Sequence, residues 1–161
     1  DWGELDYLLI DLPPGTSDIH LTLVQAIPVT SAIVVTTPQK ISSIDAQKAL
    51  SMFKKDQINV PVLGVVENMA YFTPEELPDN KYYLFGKDGG FDLAKNSGVP
   101  FLGQIPIVQG IRESGDAGIP GIMSGSKIIF DAFTKLAGEV VKQNNIRNKN
   151  LDPTSVVQMV R

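Results

Sequence analysis

Short apolar runs, each stopped by a polar or turn-forming residue, recur along this chain. Tyr7-Leu-Leu-Ile10 stops at Asp11, Ala32-Ile-Val-Val35 at Thr36-Thr37-Pro38, Val60-Pro-Val-Leu-Gly-Val-Val66 at Glu67-Asn68, and Phe101-Leu-Gly-Gln-Ile105 at Pro106. Runs of this kind predict buried strands. The stretches between them carry helical spacing. Ile19, Leu21, Leu23 and Val24 predict a short helix over 18–26, closed by Ile27-Pro28. Ala46, Ala49, Leu50 and Phe53 form the apolar stripe of a second helix over about 44–55, with Ser42 and Ser43 placed to cap it. Shorter helices are predicted over 91–97 and 108–114, with a glycine-rich connection over 115–125. Ser126 opens a last helix, through about Lys142, whose core face is Ile129, Phe130, Phe133, Leu136, Ala137, Val140 and Val141.

Strands alternating with helices predict a parallel α/β sheet. Near-continuous apolar strands call for cover on both sides, so the expected fold is doubly wound, with helices on both faces of four parallel strands. One domain is expected over 1–143, followed by a loose polar tail over 144–161. Residues 70–88, with Pro74, Pro78 and several Tyr and Phe, are expected to be irregular. The first strand signal lies close to the start and no Met precedes it, so the chain is expected to continue something longer.

Composition narrows the function. A chain of 161 residues suffices for one core. Hydrophobic residues at 43% and charged residues at 20% suit a soluble globular protein. A net charge of −4 supplies no basic field, so neither nucleic acid nor membrane is an expected partner. The absence of cysteine excludes thiolate catalysis and thiolate metal ligands from this chain, and fits a cytoplasmic location. No apolar run approaches the ~20 residues of a membrane helix.

Ligands of open parallel sheets bind beyond the carboxyl ends of the strands. Asp11, Thr36-Thr37-Pro38, Glu67-Asn68 and Pro106 all fall at such ends, so one rim is expected to collect them. Turn chemistry alone also favours Asp, Asn and Pro at strand ends, and each position taken singly is as well explained that way. A carboxylate at Asp11 suits Mg²⁺, directly or through water. Gly15 lets a backbone N–H approach a phosphate with no side chain in the way.

The strings Leu9-Ile-Asp-Leu-Pro-Pro-Gly-Thr-Ser-Asp18, Val35-Thr-Thr-Pro-Gln39, Gly64-Val-Val-Glu-Asn-Met69 and Phe101-Leu-Gly-Gln-Ile-Pro106, in this order, resemble the Mrp/ApbC family of P-loop ATPases. That family is similar to MinD, ParA and the nitrogenase iron protein, and it carries iron–sulfur clusters. The resemblance runs from about residue 1 to residue 142. It implies a Mg-ATP-binding ATPase that hands iron–sulfur clusters to apoproteins and forms a nucleotide-dependent homodimer. Asp11 would order the Mg²⁺ shell through water. Pro14 and Gly15 would belong to the γ-phosphate-sensing loop. Asn68 would hydrogen-bond adenine with its side-chain amide, and Pro106 would begin the adenine-flanking loop. Asp18 gains no role, and Ser17 stands where the family usually has Gly.

Two departures limit what is expected of these residues alone. The Walker A loop and switch I aspartate belong upstream of residue 1, so the chain by itself is expected to bind ATP weakly or not at all. The Cys-x-x-Cys pair that the family usually carries after the Asn-Met segment is missing, and Glu75, Glu76 and Asp79 are hard oxygen donors, poorly suited to a cluster. A MinD- or ParA-like positioning ATPase and a non-enzymatic nucleotide-sensing scaffold remain as alternatives. The lone His20 reads as a surface or partly buried helix residue. Tyr71, Phe72, Tyr82 and Tyr83 read as packing for the 70–88 loop, Gly89-Gly90 as a turn, and the acidic cluster as a solvated face.

Overall fold

The computed structural model describes residues 2–15, 18–74, 76–77 and 79–157. Three strands, β1 (Ala32–Thr36), β2 (Val62–Glu67) and β3 (Phe101–Gln104), pair in parallel and in chain order. Val34 lies beside Val65, and Val65 beside Phe101. Parallel neighbours need crossovers, and helices supply them. α2 (Lys40–Phe53) links β1 to β2, and α3 (Gly89–Ser97) links the 70–88 loop to β3. Both helices pack on one face, where Val34 and Val65 meet Ala46, Leu50, Leu93 and Ala94.

The other face is covered by α5 (Lys127–Asn150), whose Ala132, Leu136 and Val140 lie over Val66, Leu102 and Ile105. α4 (Gln109–Asp116) adds Ile111 to the same cluster. A third cluster closes the amino ends of the strands, where Val24 of α1 (Asp18–Ala26) packs with Ala32, Met52, Phe53, Ile58 and Val60. Side chains as enclosed as Leu50, Val65 and Ile129 each contribute about 1.5–3 kcal/mol. The parallel sheet with helices on both faces agrees with the sequence.

The expected strand over 7–10 does not form. Residues 7–10 pair with no strand among the described residues, and Leu9 is 80% exposed. A strand exists only where its N–H and C=O groups have a ladder to join, and the apolar pattern cannot supply that partner. The sheet is open on its β1 side. Val35, in the middle of β1, is 59% exposed, whereas its neighbour Val66 is buried beneath the α5 face.

Helix boundaries also move. α2 starts at Lys40 rather than 44, and Ser42 and Ser43 lie inside it. Their hydroxyls join a cluster with Thr37 and Gln39 instead of capping: Thr37 Oγ1 reaches Gln39 Oε1 at 2.6 Å and Ser42 Oγ at 2.8 Å, and the Ser43 hydroxyl donates to Gln39 O. α5 continues to Asn150, so residues 144–150 are helical rather than loose. Beyond it the chain returns to the body, where Val157 N–H donates to Val24 O at 2.9 Å. His20 is buried in α1, not on its surface.

The loop over 70–88 is more ordered than its composition suggests. Phe72 and Tyr82 exchange backbone hydrogen bonds at 2.8 and 2.9 Å, and Ile107 N–H donates to Tyr71 O at 2.7 Å. Tyr71 meets Tyr83 edge-on, and the Lys81 ammonium stands 4.1 Å above the Tyr71 ring. The aromatics therefore pin the loop down beside β3. Glu76 and Asp79 are exposed, as a solvated face requires; Glu75 and Pro78 lie outside the described residues.

Candidate functional site

The carboxyl ends of the three strands form one polar rim. β1 delivers Thr36 and Thr37, β2 delivers Glu67 and Asn68, and β3 delivers Gln104 ahead of Pro106. Backbone bonds fix their relation: Asn68 N–H donates to Thr36 O at 2.7 Å, Ile105 N–H to Glu67 O at 2.9 Å, and Ala70 N–H to Ile105 O at 3.0 Å.

Glu67 is the anchor of this rim and is completely buried. Its Oε2 accepts from Gly90 N–H at 2.6 Å, and its Oε1 accepts from the Gln104 side-chain amide at 2.8 Å. Gly90 lies in the first turn of α3, where N–H groups lack intrahelical partners and the helix dipole favours an anion. Glycine is required there, because a Cβ on Gly90 would meet Glu67 Cβ at 2.8 Å. Gly89 packs as tightly against the Pro38 carbonyl. Gly89-Gly90 is therefore a close-packing element, and the α3 N-terminus is already filled by Glu67. It offers no seat for a phosphate. Sequence reasoning placed Glu67 at the rim but gave it no role. The available signal was a carboxylate ending an otherwise apolar strand.

Asn68 follows at once, partly exposed. Its Oδ1 accepts from Met69 N–H at 2.9 Å, and Met69 takes a left-handed backbone with φ 53°. Left-handed geometry at a non-glycine residue costs free energy and survives only where neighbours enforce it. The amide oxygen thus helps hold a strained turn while the amide Nδ2 donates to none of the described residues. Pro106 is fully enclosed two residues beyond Gln104. It shapes the rim from beneath.

Asp11, Pro14 and Gly15 are not brought in by a strand. All three are exposed. Gly15 has φ 94°, and a Cβ there would meet nothing within 4 Å. Its N–H is open to an incoming group, and no described residue holds it against the rim.

The donor set does not fit an iron–sulfur cluster. The chain has no cysteine, and no three His, Asp or Glu side chains converge on a metal-sized site among the described residues. For a nucleotide the fit is partial. Asn68 presents an amide suited to a purine edge, and Asp11 a carboxylate suited to hydrated Mg²⁺.

A family model described as ParA, NUBPL iron-transfer P-loop NTPase, matches residues 1–141. The chain belongs to this family of nucleotide-binding P-loop proteins. It is 47% identical over 145 residues to the iron-sulfur cluster carrier protein of Synechocystis, covering 87% of this chain and 40% of that protein. Among solved structures it is similar to a nucleotide-binding protein from Archaeoglobus fulgidus in complex with ADP, with a TM-score of 0.65 and 39% identity over 82% of this chain and 52% of that one. It is also similar to the septum site-determining protein MinD from Pyrococcus horikoshii complexed with Mg-ADP, with a TM-score of 0.55 and 29% identity over 74% of this chain and 44% of that one. The chain thus spans about half, or less, of the length of each of these relatives. No helix among the described residues is long and apolar enough to cross a membrane.

Proposed function

We propose that these residues form the adenine-reading and Mg²⁺-ordering part of an ATPase that carries iron–sulfur clusters to apoproteins. Asn68 is the observation that carries the reading. It is fixed at the rim by its bond to Thr36 O, and its amide holds the Met69 turn while leaving donor capacity toward solvent. An amide offers adenine one donor and one acceptor, the pair needed on its edge. In this reading Asp11 orders Mg²⁺ through water, Pro14 and Gly15 respond to the γ-phosphate, and Pro106 backs the adenine-flanking loop. ATP binding then drives homodimerisation in the cytoplasm, and the switch governs release of the cluster.

In this reading the Asp11–Gly15 segment works against a phosphate-binding loop, a motif that these 161 residues do not hold. The exposure of Leu9 and Val35 supports that reading. The 161-residue chain alone therefore binds ATP weakly or not at all, while a polypeptide that also holds a P-loop binds it tightly. Isothermal titration of both with Mg-ATP tests this, and micromolar affinity in the short chain would overturn it.

The cluster, as cargo, takes its ligands from outside these residues. Anaerobic addition of ferrous iron and sulfide to this chain is expected to leave no visible absorbance after desalting. A retained charge-transfer band would refute that assignment.

A further inference from the structure

Arg147 is the only arginine or lysine buried among the described residues, at 8% exposure. It sits in the last turn of α5, at the end of the sheet opposite the rim. One guanidinium nitrogen donates to Asp152 O at 2.8 Å and the other to Asn148 Oδ1 at 3.1 Å. The Nε–H, itself enclosed, has no acceptor among the described residues. Both acceptors are neutral, and Arg147 belongs to none of the ion pairs among the described residues, which are all made by solvent-exposed cations. The other buried charge, Glu67, has both oxygens satisfied. A buried guanidinium without a counter-ion is costly. The carbonyl end of α5 offsets only part of it, about half a charge.

Arg147 floors an open cleft of ≈ 380 Å³ between the 28–30 turn and the 151–154 segment. Thr30, Asn148 and Thr154 line its walls, and no carboxylate does. A guanidinium fork with spare donors on its terminal nitrogens, neutral hydroxyls beside it and no carboxylate among the residues that line the cleft is suited to bidentate capture of an oxyanion.

We propose that this cleft binds a small oxyanion, the phosphate or carboxylate group of a ligand, on Arg147. The site is separate from the nucleotide rim and does not depend on the function proposed above. The ligand supplies the missing counter-charge and bridges α5 to the segment that follows it.

The test is a titration of the ¹⁵N-labelled full chain with inorganic phosphate, with acetate, and with chloride at matched ionic strength. Phosphate or acetate is expected to shift the Arg147 Nε–H and the amides of Thr30, Asn148 and Thr154 saturably, and chloride is not. Tighter phosphate than acetate identifies a phosphate ester as the ligand class, and the reverse identifies a carboxylate. R147Q is expected to weaken binding by about tenfold or more, the loss of a charge-assisted hydrogen bond. Equal shifts with chloride, or an unchanged phosphate response in R147Q, would overturn the proposal. If R147Q does not fold, a T30V/T154V double variant decides: weakened phosphate binding supports the site, and unchanged affinity overturns it.

Discussion

The Glu67 carboxylate accepts the Gly90 N–H at 2.6 Å, so the end of β2 is tied to the first turn of α3 across 23 residues of chain. The same carboxylate takes the Gln104 amide from β3. One buried side chain thereby joins two strand ends and a helix start directly beneath Asn68. Glu67→Met keeps roughly the shape but removes both acceptors, leaving the Gly90 N–H and the Gln104 amide without their partner. The expected loss is about 1–3 kcal/mol of folding stability, the cost of a buried group left unsatisfied. Urea denaturation of wild type and variant measures it, and equal midpoints would remove Glu67 as the anchor.

Gly90→Ala tests the same relationship from the other side. The added methyl would come within 3.2 Å of Glu67 Oε2 as well as against its Cβ. Overpacking of this kind costs about 1–3 kcal/mol. Because the two residues touch, the double variant Glu67→Ala/Gly90→Ala is expected to be more stable than the sum of the single effects predicts, since removing the Glu67 side chain makes room for the methyl. Strict additivity in a double-mutant cycle would contradict the contact.

How much of this was legible in the sequence depends on what a pattern encodes. The apolar runs at 32–35, 60–66 and 101–105 read as strands, and strands form there over 32–36, 62–67 and 101–104, where α2, α3 and α5 supply cover. The run at 7–10 has the same pattern and forms none, because apolarity records the need for burial and not the identity of the partner. The apolar stripe ends before α5 does, for the opposite reason. Past Val141 its residues are mostly polar on every side, so no stripe marks them, yet the helix continues to Asn150 and is closed by Leu151 N–H on Arg147 O at 2.9 Å. The polar rim was legible where turn-forming residues end strands. The role of Glu67 was not, because its partners Gly90 and Gln104 lie far along the chain.

Asn68 separates two jobs that substitution can divide. Its oxygen holds Met69 N–H, and its NH₂ group is the donor available to a base. Asn68→Asp keeps the first and loses the second; Asn68→Ala loses both. In a polypeptide able to bind nucleotide, Asn68→Asp is expected to lower ATP affinity by about tenfold or more, one hydrogen bond's worth, with little change in unfolding midpoint. Asn68→Ala is expected to lower both, since the left-handed turn loses its support. Titration calorimetry and thermal melts on the two variants check this. Wild-type affinity in Asn68→Asp would exclude the amide from base recognition.

Leu9→Ser asks whether the exposed segment before Asp11 is exposed in the working protein. In this chain Leu9 is 80% exposed and has no strand around it. Replacing an exposed surface residue changes stability by about 0.5 kcal/mol or less, and that is the expectation for the chain alone. If residues 7–10 instead join the open side of β1 in a longer polypeptide, the leucine becomes a core strand residue, and the same substitution costs about 2 kcal/mol or more. Denaturation midpoints of Leu9→Ser and wild type, compared in the short chain and in the longer polypeptide, distinguish the two. A large effect confined to the longer form would mean that the Asp11–Gly15 loop is set in place by a strand that forms only there. An equally small effect in both would leave Asp11 on an unanchored segment and count against its role in ordering Mg²⁺.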